Sequence, residues 1–158
     1  YFLKYYLFYL IGLQVRDYKV IEAGTLKAQA KFSNLERVGF LHNTLFSLLT
    51  ELNVDLCIVE KAFVGPNPKT ALVLGQARGG LLTAMSRLNL PIVEISSTAV
   101  KKTVAGNGLA SKAEVASSLF SLLGFNKGKL SFDVSDAVAI ALAYGLSFIS
   151  SQSFLKKS

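Results

Sequence analysis

The segment Val54–Glu60, which reads V-D-L-C-I-V-E, decides the fold class. It is short and largely apolar, and it ends in a carboxylate. A short apolar run without polar alternation is typical of a strand that is covered on both faces of a sheet. In α/β proteins, functional groups gather at the carboxyl ends of such strands. We therefore predict a buried strand over Val54–Val59, with Glu60 in a functional position at its end.

Helices and strands alternate on both sides of this segment. Upstream, the aromatic and branched residues of Tyr5–Val15 and Tyr18–Leu26 predict two strands of a hairpin that turns at Arg16-Asp17. A helix over Leu35–Leu52 follows the capping residues Ser33-Asn34. The elements predicted downstream are helix 69–88, strand 91–95, and helices 96–104, 111–123 and 133–148. This order indicates an α/β fold, and the absence of repeats or linkers predicts one domain over residues 1–158.

The charge balance favours a polyanionic partner. The chain carries 17 Lys and Arg against 10 Asp and Glu, a formal net charge of +7. Seven of the basic residues lie between Lys61 and Lys112, where Glu94 is the one acidic residue. This region is a candidate surface for the phosphate backbone of a nucleic acid, although scattered, solvated lysines are an equally open interpretation.

A membrane role is not expected, although 51% of the residues are hydrophobic. The most apolar stretch, Tyr1–Leu13, is interrupted by Lys4 and is shorter than the roughly 20 residues that a membrane-spanning helix needs. Cys57, the single cysteine, lies within the apolar strand and is expected to be an inert core thiol in a reducing compartment. His42, the single histidine, is expected on a helix face and not as a ligand.

Three carboxylates suggest a metal site. An unpaired charge on Glu60 would be costly to bury at the end of an apolar strand, so a positive group is expected beside it. Asp133 and Asp136 are spaced i, i+3 and would share one face of a helix that Glu60 could approach from the sheet. Such oxygen ligands suit Mg²⁺ or Mn²⁺ and predict a nuclease centre. Alternatively, the two aspartates only stabilise a helix N-terminus and Glu60 pairs with Lys61 or a more distant lysine.

Four ordered motifs resemble those of the RuvC family of Holliday-junction resolvases, and the resemblance runs from about Tyr18 to Tyr144. The first is the strand end Ile58–Phe63, which is followed by Asn67 and by the segment Thr70–Gly79. The others are Val100–Val104 with Gly106-Asn107-Gly108, then Ala110-Ser111-Lys112, and finally Asp133–Ala141.

The resemblance implies an RNase H-like fold, with a mixed five-stranded sheet flanked by helices. It also implies a homodimer in which each subunit cuts one strand of a four-way DNA junction, working with a branch-migration helicase complex of the RuvA and RuvB type in the bacterial cytoplasm. Glu60, Asp133 and Asp136 match three of four metal-binding acidic positions, and Lys101 and Lys112 match a basic pair at the scissile phosphate. The residues expected to contact DNA are Phe63, which would stack on a base, together with Asn67, Lys69, Arg78, Lys101, Lys102 and Lys112. For Asn67 and Arg78, structural bonding within the loop and helix is an equally open interpretation.

Two positions depart from the family pattern. Pro66 stands where the family usually has lysine. The family's first strand, Gly-Ile-Asp-Pro-Gly, has no counterpart here, since residues 1–16 contain neither Asp nor Glu and Asp17 lies in the predicted turn. We expect that strand to be missing or altered through truncation or a frameshift near residues 1–4, with weak or absent cleavage as the result. The alternative function is therefore a catalytically inactive protein that binds junction DNA.

Overall fold

The computed structural model describes the backbone of residues 6–14, 17–61, 67–124 and 132–155. Within these ranges, the side chains of residues 6–17, 19, 132–133 and 149–155 lie outside the description. No helix in the described part of the chain is long and apolar enough to cross a membrane. The predicted loops at 63–67 and 124–130 lie mostly outside the described residues, as do residues 1–4.

The described residues form four strands and five helices. In chain order these are β1 (Tyr6–Gln14), β2 (Asp17–Leu26), α1 (Asn34–Glu51), β3 (Cys57–Glu60), α2 (Pro68–Arg87), β4 (Ile92–Ile95), α3 (Ser97–Ala105), α4 (Lys112–Leu123) and α5 (Phe132–Leu155). Every predicted helix and strand is present, and most boundaries agree within one or two residues. The α/β class predicted from the sequence is therefore confirmed.

Local capping explains why the predicted starts of the helices agree with the structure. Ser33, Ser96 and Ser111 each precede a helix and accept a hydrogen bond from a backbone N–H of its first turn. These bonds satisfy N–H groups that have no partner within the helix. At the other end, Gly106 and Gly124 have φ of 75° and 68°, the left-handed conformation that stops α3 and α4.

Two predicted boundaries were wrong. The strand predicted over Val54–Val59 begins only at Cys57, because β3 pairs with the short strand β4 and the Cys57 N–H donates to the carbonyl of Pro91, which immediately precedes β4. Residues 54–56 precede this pairing and are therefore not part of the strand. The helix predicted to end at Phe148 continues to Leu155, since no glycine or proline follows Gly145 to end it.

The chain divides into two compact units. Unit 1 comprises residues 1–7, 25–57 and 62–93, and its core lies between α1 and α2. The buried side chains of these helices include Leu41, Leu45, Ala77, Leu81 and Met85. Close approach of the helices depends on Gly80, because a Cβ there would lie 2.8 Å from a methyl group of Val38.

Unit 2 comprises residues 8–24, 58–61 and 94–158, and in it α3, α4 and α5 pack against one another. Its core contains buried side chains from all three helices, with Tyr18 and Val20 of β2 and Ile95 of β4 packed against them. The buried members include Val100, Val104, Val115, Leu119, Val138 and Leu142. This packing fixes the relative positions of the helices that carry Lys101, Lys112 and Asp136.

The strands form two pairs in the described part of the chain, β1 with β2 and β3 with β4. Only two residues separate β1 from β2, so this pair is an antiparallel hairpin, as predicted. The single mixed sheet of five strands is not confirmed, because four strands in two separate pairs are described.

Candidate nuclease site

Glu60 lies at the carboxyl end of β3, as predicted from the sequence. The N–H of Lys61, the next residue, donates to the carbonyl of Ile95 at 2.9 Å, just as Cys57 does to Pro91 four residues earlier. The two strands therefore run parallel and end side by side. Ser96, the cap of α3, follows Ile95 directly, so Glu60 lies close to the N-terminus of α3.

The environment of Glu60 differs from the one predicted. Its side chain is exposed, so the cost of burying a charge does not apply to it. It nevertheless makes a polar or electrostatic contact within the protein. An exposed carboxylate at the carboxyl end of β3 is accessible to a cation and to a large substrate.

A tight connection links the two helices that carry the predicted catalytic lysines. After Gly106, the Asn107 side chain accepts a hydrogen bond from the Leu109 N–H at 3.0 Å, and the Ala110 N–H donates to the Asn107 carbonyl at 3.1 Å. Gly108 packs closely on α3, because a Cβ at this position would lie 2.9 Å from the methyl group of Thr98. The connection holds α3, with Lys101 at its middle and Lys102 in its last turn, in a fixed relation to Lys112, the first residue of α4.

Lys112 and Asp136 form an ion pair across α4 and α5. The Lys112 Nζ donates to Asp136 Oδ2 at 2.5 Å, and the two side chains are 65% and 38% exposed. The sequence predicted a role for each of these residues but did not predict that they touch. The contact shows that the Asp136 carboxylate is placed to accept a cationic group.

The convergence of all three acids remains a prediction. Asp133 lies in the first turn of α5, three residues before Asp136, but its side chain is outside the described residues. Among the side chains that are described, no group of three His, Cys, Asp or Glu residues could hold a metal ion. The exposed carboxylate of Glu60 and the partly exposed carboxylate of Asp136 offer oxygen ligands of the kind that a hard divalent cation takes.

The structure describes three of the predicted DNA-binding residues of unit 1, Asn67, Lys69 and Arg78. Asn67 caps α2, its side chain accepting hydrogen bonds from the N–H groups of Lys69 and Thr70 at 3.0 and 3.3 Å. This is the structural interpretation of Asn67, and the sequence signal for it was Pro68, a residue favoured in the first helical turn. Lys69 is exposed, Arg78 is partly buried, and Phe63 and Pro66 lie outside the described residues.

His42 has the structural role that was expected. Its Nδ1 lies 2.9 Å from the Gly80 carbonyl, which can only accept, so Nδ1 carries the proton. Its Nε2 then accepts from the Arg87 guanidinium at 3.3 Å, and both residues pack on the Phe46 ring. The sequence did not predict this connection between α1 and α2, because its partners lie about 40 residues apart in the chain.

Exposed carboxylates near a lysine-bearing helical connection are the arrangement expected of an enzyme that hydrolyses phosphodiesters. Oxygen ligands can hold the cation that such a reaction uses, and lysines can hold the phosphate. The α/β fold and these side chains are therefore compatible with the class of protein predicted from the sequence, a metal-dependent nuclease.

Comparisons with known proteins define the family. The sequence profile described as crossover junction endodeoxyribonuclease RuvC matches residues 8–144. A protein of that name from Halothermothrix orenii is 37% identical over 88% of this chain and 84% of its own length. Another from Methylocella silvestris is 38% identical over 84% of this chain and 81% of its own. The chain belongs to the RuvC family of crossover junction endodeoxyribonucleases, which confirms the resemblance seen in its motifs.

Solved structures agree with this assignment. A structure of Thermus thermophilus RuvC in complex with a Holliday junction substrate matches with a TM-score of 0.85, at 23% identity, over 94% of this chain and 91% of that chain. A second structure of Thermus thermophilus RuvC matches with a TM-score of 0.74, at 25% identity, over 90% and 85% of the two chains. The fold is therefore that of RuvC, which is RNase H-like.

Proposed function

We propose that this protein is a crossover junction endodeoxyribonuclease that resolves four-way DNA junctions by Mg²⁺-dependent hydrolysis of phosphodiester bonds. The observation that carries the proposal is membership of the RuvC family over residues 8–144. The Thermus thermophilus RuvC that shares the fold was solved with a Holliday junction bound, which supports junction DNA as the substrate.

In this proposal the acidic residues hold the cation. Glu60 contributes from the end of β3, and Asp133 and Asp136 contribute from the start of α5. When bound, Mg²⁺, or Mn²⁺ in its place, activates the attacking water and stabilises the charge that develops on the phosphate oxygens. The exposure of Glu60 and Asp136 leaves both carboxylates accessible to the solvent from which the cation and the DNA arrive.

The lysines hold the DNA. Lys101 and Lys112 would bind the phosphate next to the broken bond, because an ammonium group can stabilise a developing negative charge there. Lys69, Arg78 and Lys102 would contact the backbone at a greater distance, and Phe63 would stack on a base near the crossover. Asn67 would act indirectly, by fixing the start of α2 and with it Lys69.

The same family assignment also supports a proposal for the domain organisation and the oligomeric state of the protein. We propose that the two units form one nuclease domain over residues 1–158, built on a mixed five-stranded sheet, and that the active form is a homodimer. A homodimer would place two sites on one junction, as cutting two strands requires. We further propose that the protein cooperates with a RuvA and RuvB type helicase in the bacterial cytoplasm. The bacterial origin of the relatives supports the bacterial setting, and the helicase partner rests on the family assignment alone.

Substitution of Glu60 tests the catalytic role. With a synthetic four-way junction and Mg²⁺, we expect Glu60→Gln to lower the cleavage rate about a hundredfold or more, because a neutral amide is a poor ligand for a hard cation. Junction binding measured without divalent cations should change less than twofold. Glu51→Gln, the same substitution at an exposed glutamate at the end of α1, should cleave like the parent protein.

Three outcomes are informative. Normal cleavage by Glu60→Gln would contradict the assignment of Glu60. Tight junction binding by the parent protein without cleavage would instead favour the inactive junction-binding protein, as expected if the aspartate missing from residues 1–16 is indispensable. Failure of the parent protein to prefer four-way junctions over duplex DNA would contradict the substrate.

A further inference from the structure

The ion pair between Lys112 and Asp136 places a positive charge on a carboxylate that the proposed function assigns to a metal ion. The bond from Lys112 Nζ to Asp136 Oδ2, at 2.5 Å, is short for a hydrogen bond between charged groups. An ammonium group bonded to Oδ2 places a positive charge on the oxygen that would serve as a ligand of a divalent cation. The two cations therefore cannot both be bound there without repelling one another.

The backbone of Lys112 is held in place by the start of α4. Ser111 and Glu114 form a capping box, in which the Ser111 N–H donates to Glu114 Oε2 at 2.7 Å and the Glu114 N–H donates to Ser111 Oγ at 3.2 Å. Since Lys112 directly follows the cap residue, its backbone cannot fray from the helix without breaking this box.

The backbone of Asp136 is held by the core of unit 2. Ser135, its neighbour, is 2% exposed and has a partner within the protein, and Val138 and Ala139 are fully buried. Val138 and Ala139 pack in the same cluster as Val115 and Leu119 of α4. The ion pair thus spans two elements that are already packed together, so its formation orders only the two side chains.

We propose that Lys112 is the internal counter-ion of Asp136 and competes with the divalent cation for this carboxylate. In the metal-free protein the ammonium group neutralises Asp136. When a cation occupies the site, the ammonium group is displaced from Oδ2 and becomes available to a DNA phosphate. Lys112 thereby makes cation binding weaker in the free protein and links it to the presence of DNA. This inference rests on the proposed function for the assignment of Asp136 to the cation.

Binding of Mn²⁺ alone, measured by calorimetry or by electron paramagnetic resonance without DNA, tests the competition. We expect Lys112→Met to tighten Mn²⁺ binding about two- to fivefold, the size expected when an exposed ion pair no longer opposes it. Lys112→Arg, which keeps a cation beside Asp136, should bind Mn²⁺ like the parent protein. Lys102→Met removes the same charge from α3 of the same unit and should change the affinity less than Lys112→Met does.

A double substitution separates direct competition from a general change of charge. In the Asp136→Asn background no carboxylate remains at this position for Lys112 to neutralise, so adding Lys112→Met should leave Mn²⁺ affinity unchanged. The same tightening in that background would overturn the proposal, as would an unchanged affinity for Lys112→Met alone. The resonances of the Lys112 side-chain methylenes should also shift on Mg²⁺ addition, and unshifted resonances would contradict displacement.

The result also distinguishes this inference from the proposed function. If Asp136→Asn weakens Mn²⁺ binding but Lys112→Met has no effect, the cation site stands and only the counter-ion role is overturned. If Asp136→Asn leaves Mn²⁺ binding unchanged, Asp136 is not a cation ligand, and both the counter-ion role and this part of the site are wrong. Junction cleavage by the parent protein tests the activity independently of either result.

Discussion

Cys57 shows how burial sets the chemistry of one side chain. It is the first residue of β3 and is only 7% exposed. Removal of the thiolate from water disfavours the charged form, and burial raises the pKa of the Cys57 thiol to about 11. The sequence predicted an inert core thiol from the apolar neighbours alone, and the burial of Cys57 supports that prediction.

Thiol labelling tests this description of Cys57. At pH 8 a thiol with a pKa of about 11 is ionised in about one molecule in a thousand, so we expect labelling by a disulfide reagent to be slow in the folded protein. Unfolding in guanidinium chloride should restore the rate of an ordinary cysteine. Stoichiometric labelling of the folded protein within seconds would contradict the buried position.

At the scale of secondary structure, α1 and α4 begin with the same capping motif, but only α4 has a predicted catalytic residue in its first turn. Both α1 and α4 start with a reciprocal capping box, Ser33 with Glu36 and Ser111 with Glu114. Such boxes satisfy two backbone N–H groups each, which stabilises the first helical turn. The difference is that Lys112 is the first residue of α4, whereas α1 begins with none of the predicted catalytic residues.

Replacement of the two cap residues separates stability from function. Ser33→Ala and Ser111→Ala should each lower the free energy of unfolding by about 1 kcal/mol, measured by denaturant titration. Only Ser111→Ala should also slow junction cleavage, because fraying of α4 moves Lys112. An equal effect of both substitutions on cleavage would show that Lys112 does not depend on its cap.

The α4 capping box should also weaken in acid. The hydrogen bonds from the backbone N–H and hydroxyl of Ser111 lower the pKa of Glu114 below its ordinary value of 4.5. A lowered pKa in the folded state means that this stabilisation is complete above that ordinary value and is lost as the pH falls through the lowered one. Glu114→Gln should therefore be less stable than the parent protein at neutral pH and should approach the stability of the parent as the pH falls. A difference in the free energy of unfolding that stays the same from neutral pH to acid would contradict this.

At the scale of the whole molecule, the net charge of +7 favours binding to a polyanion such as DNA. Each lysine that contacts a phosphate releases a counterion, so the logarithm of the binding constant falls as the logarithm of salt concentration rises. The exposed residue Lys102 at the end of α3 is expected to act in this way.

Salt titrations of junction binding test the role of Lys102. We expect Lys102→Ala to weaken binding to junction and duplex DNA by similar factors and to reduce the salt slope by about 1. Lys31→Ala, which removes an exposed lysine outside the predicted DNA-binding set, should leave the slope unchanged. A loss confined to junction DNA would instead indicate that Lys102 recognises the branch.

The sequence by itself determined the elements and most of the candidate residues. Helical spacing of leucines, serine caps and left-handed glycines act within a few residues of chain, so they can be read without knowing the fold. The motifs around Glu60, Lys101 and Asp133 were sufficient for the family, because they recur in a fixed order. The roles assigned to individual site residues remain predictions, since motif order does not give distances between side chains.

Only the tertiary structure decided which distant residues meet. The start of β3 at Cys57 depends on where β4 begins, and the exposure of Glu60 depends on what packs beside the end of β3. The contact between Lys112 and Asp136 joins residues 24 positions apart, and it exists because α4 and α5 pack through a shared core. Contacts of this kind depend on the packing of whole helices, which no local pattern of residues contains.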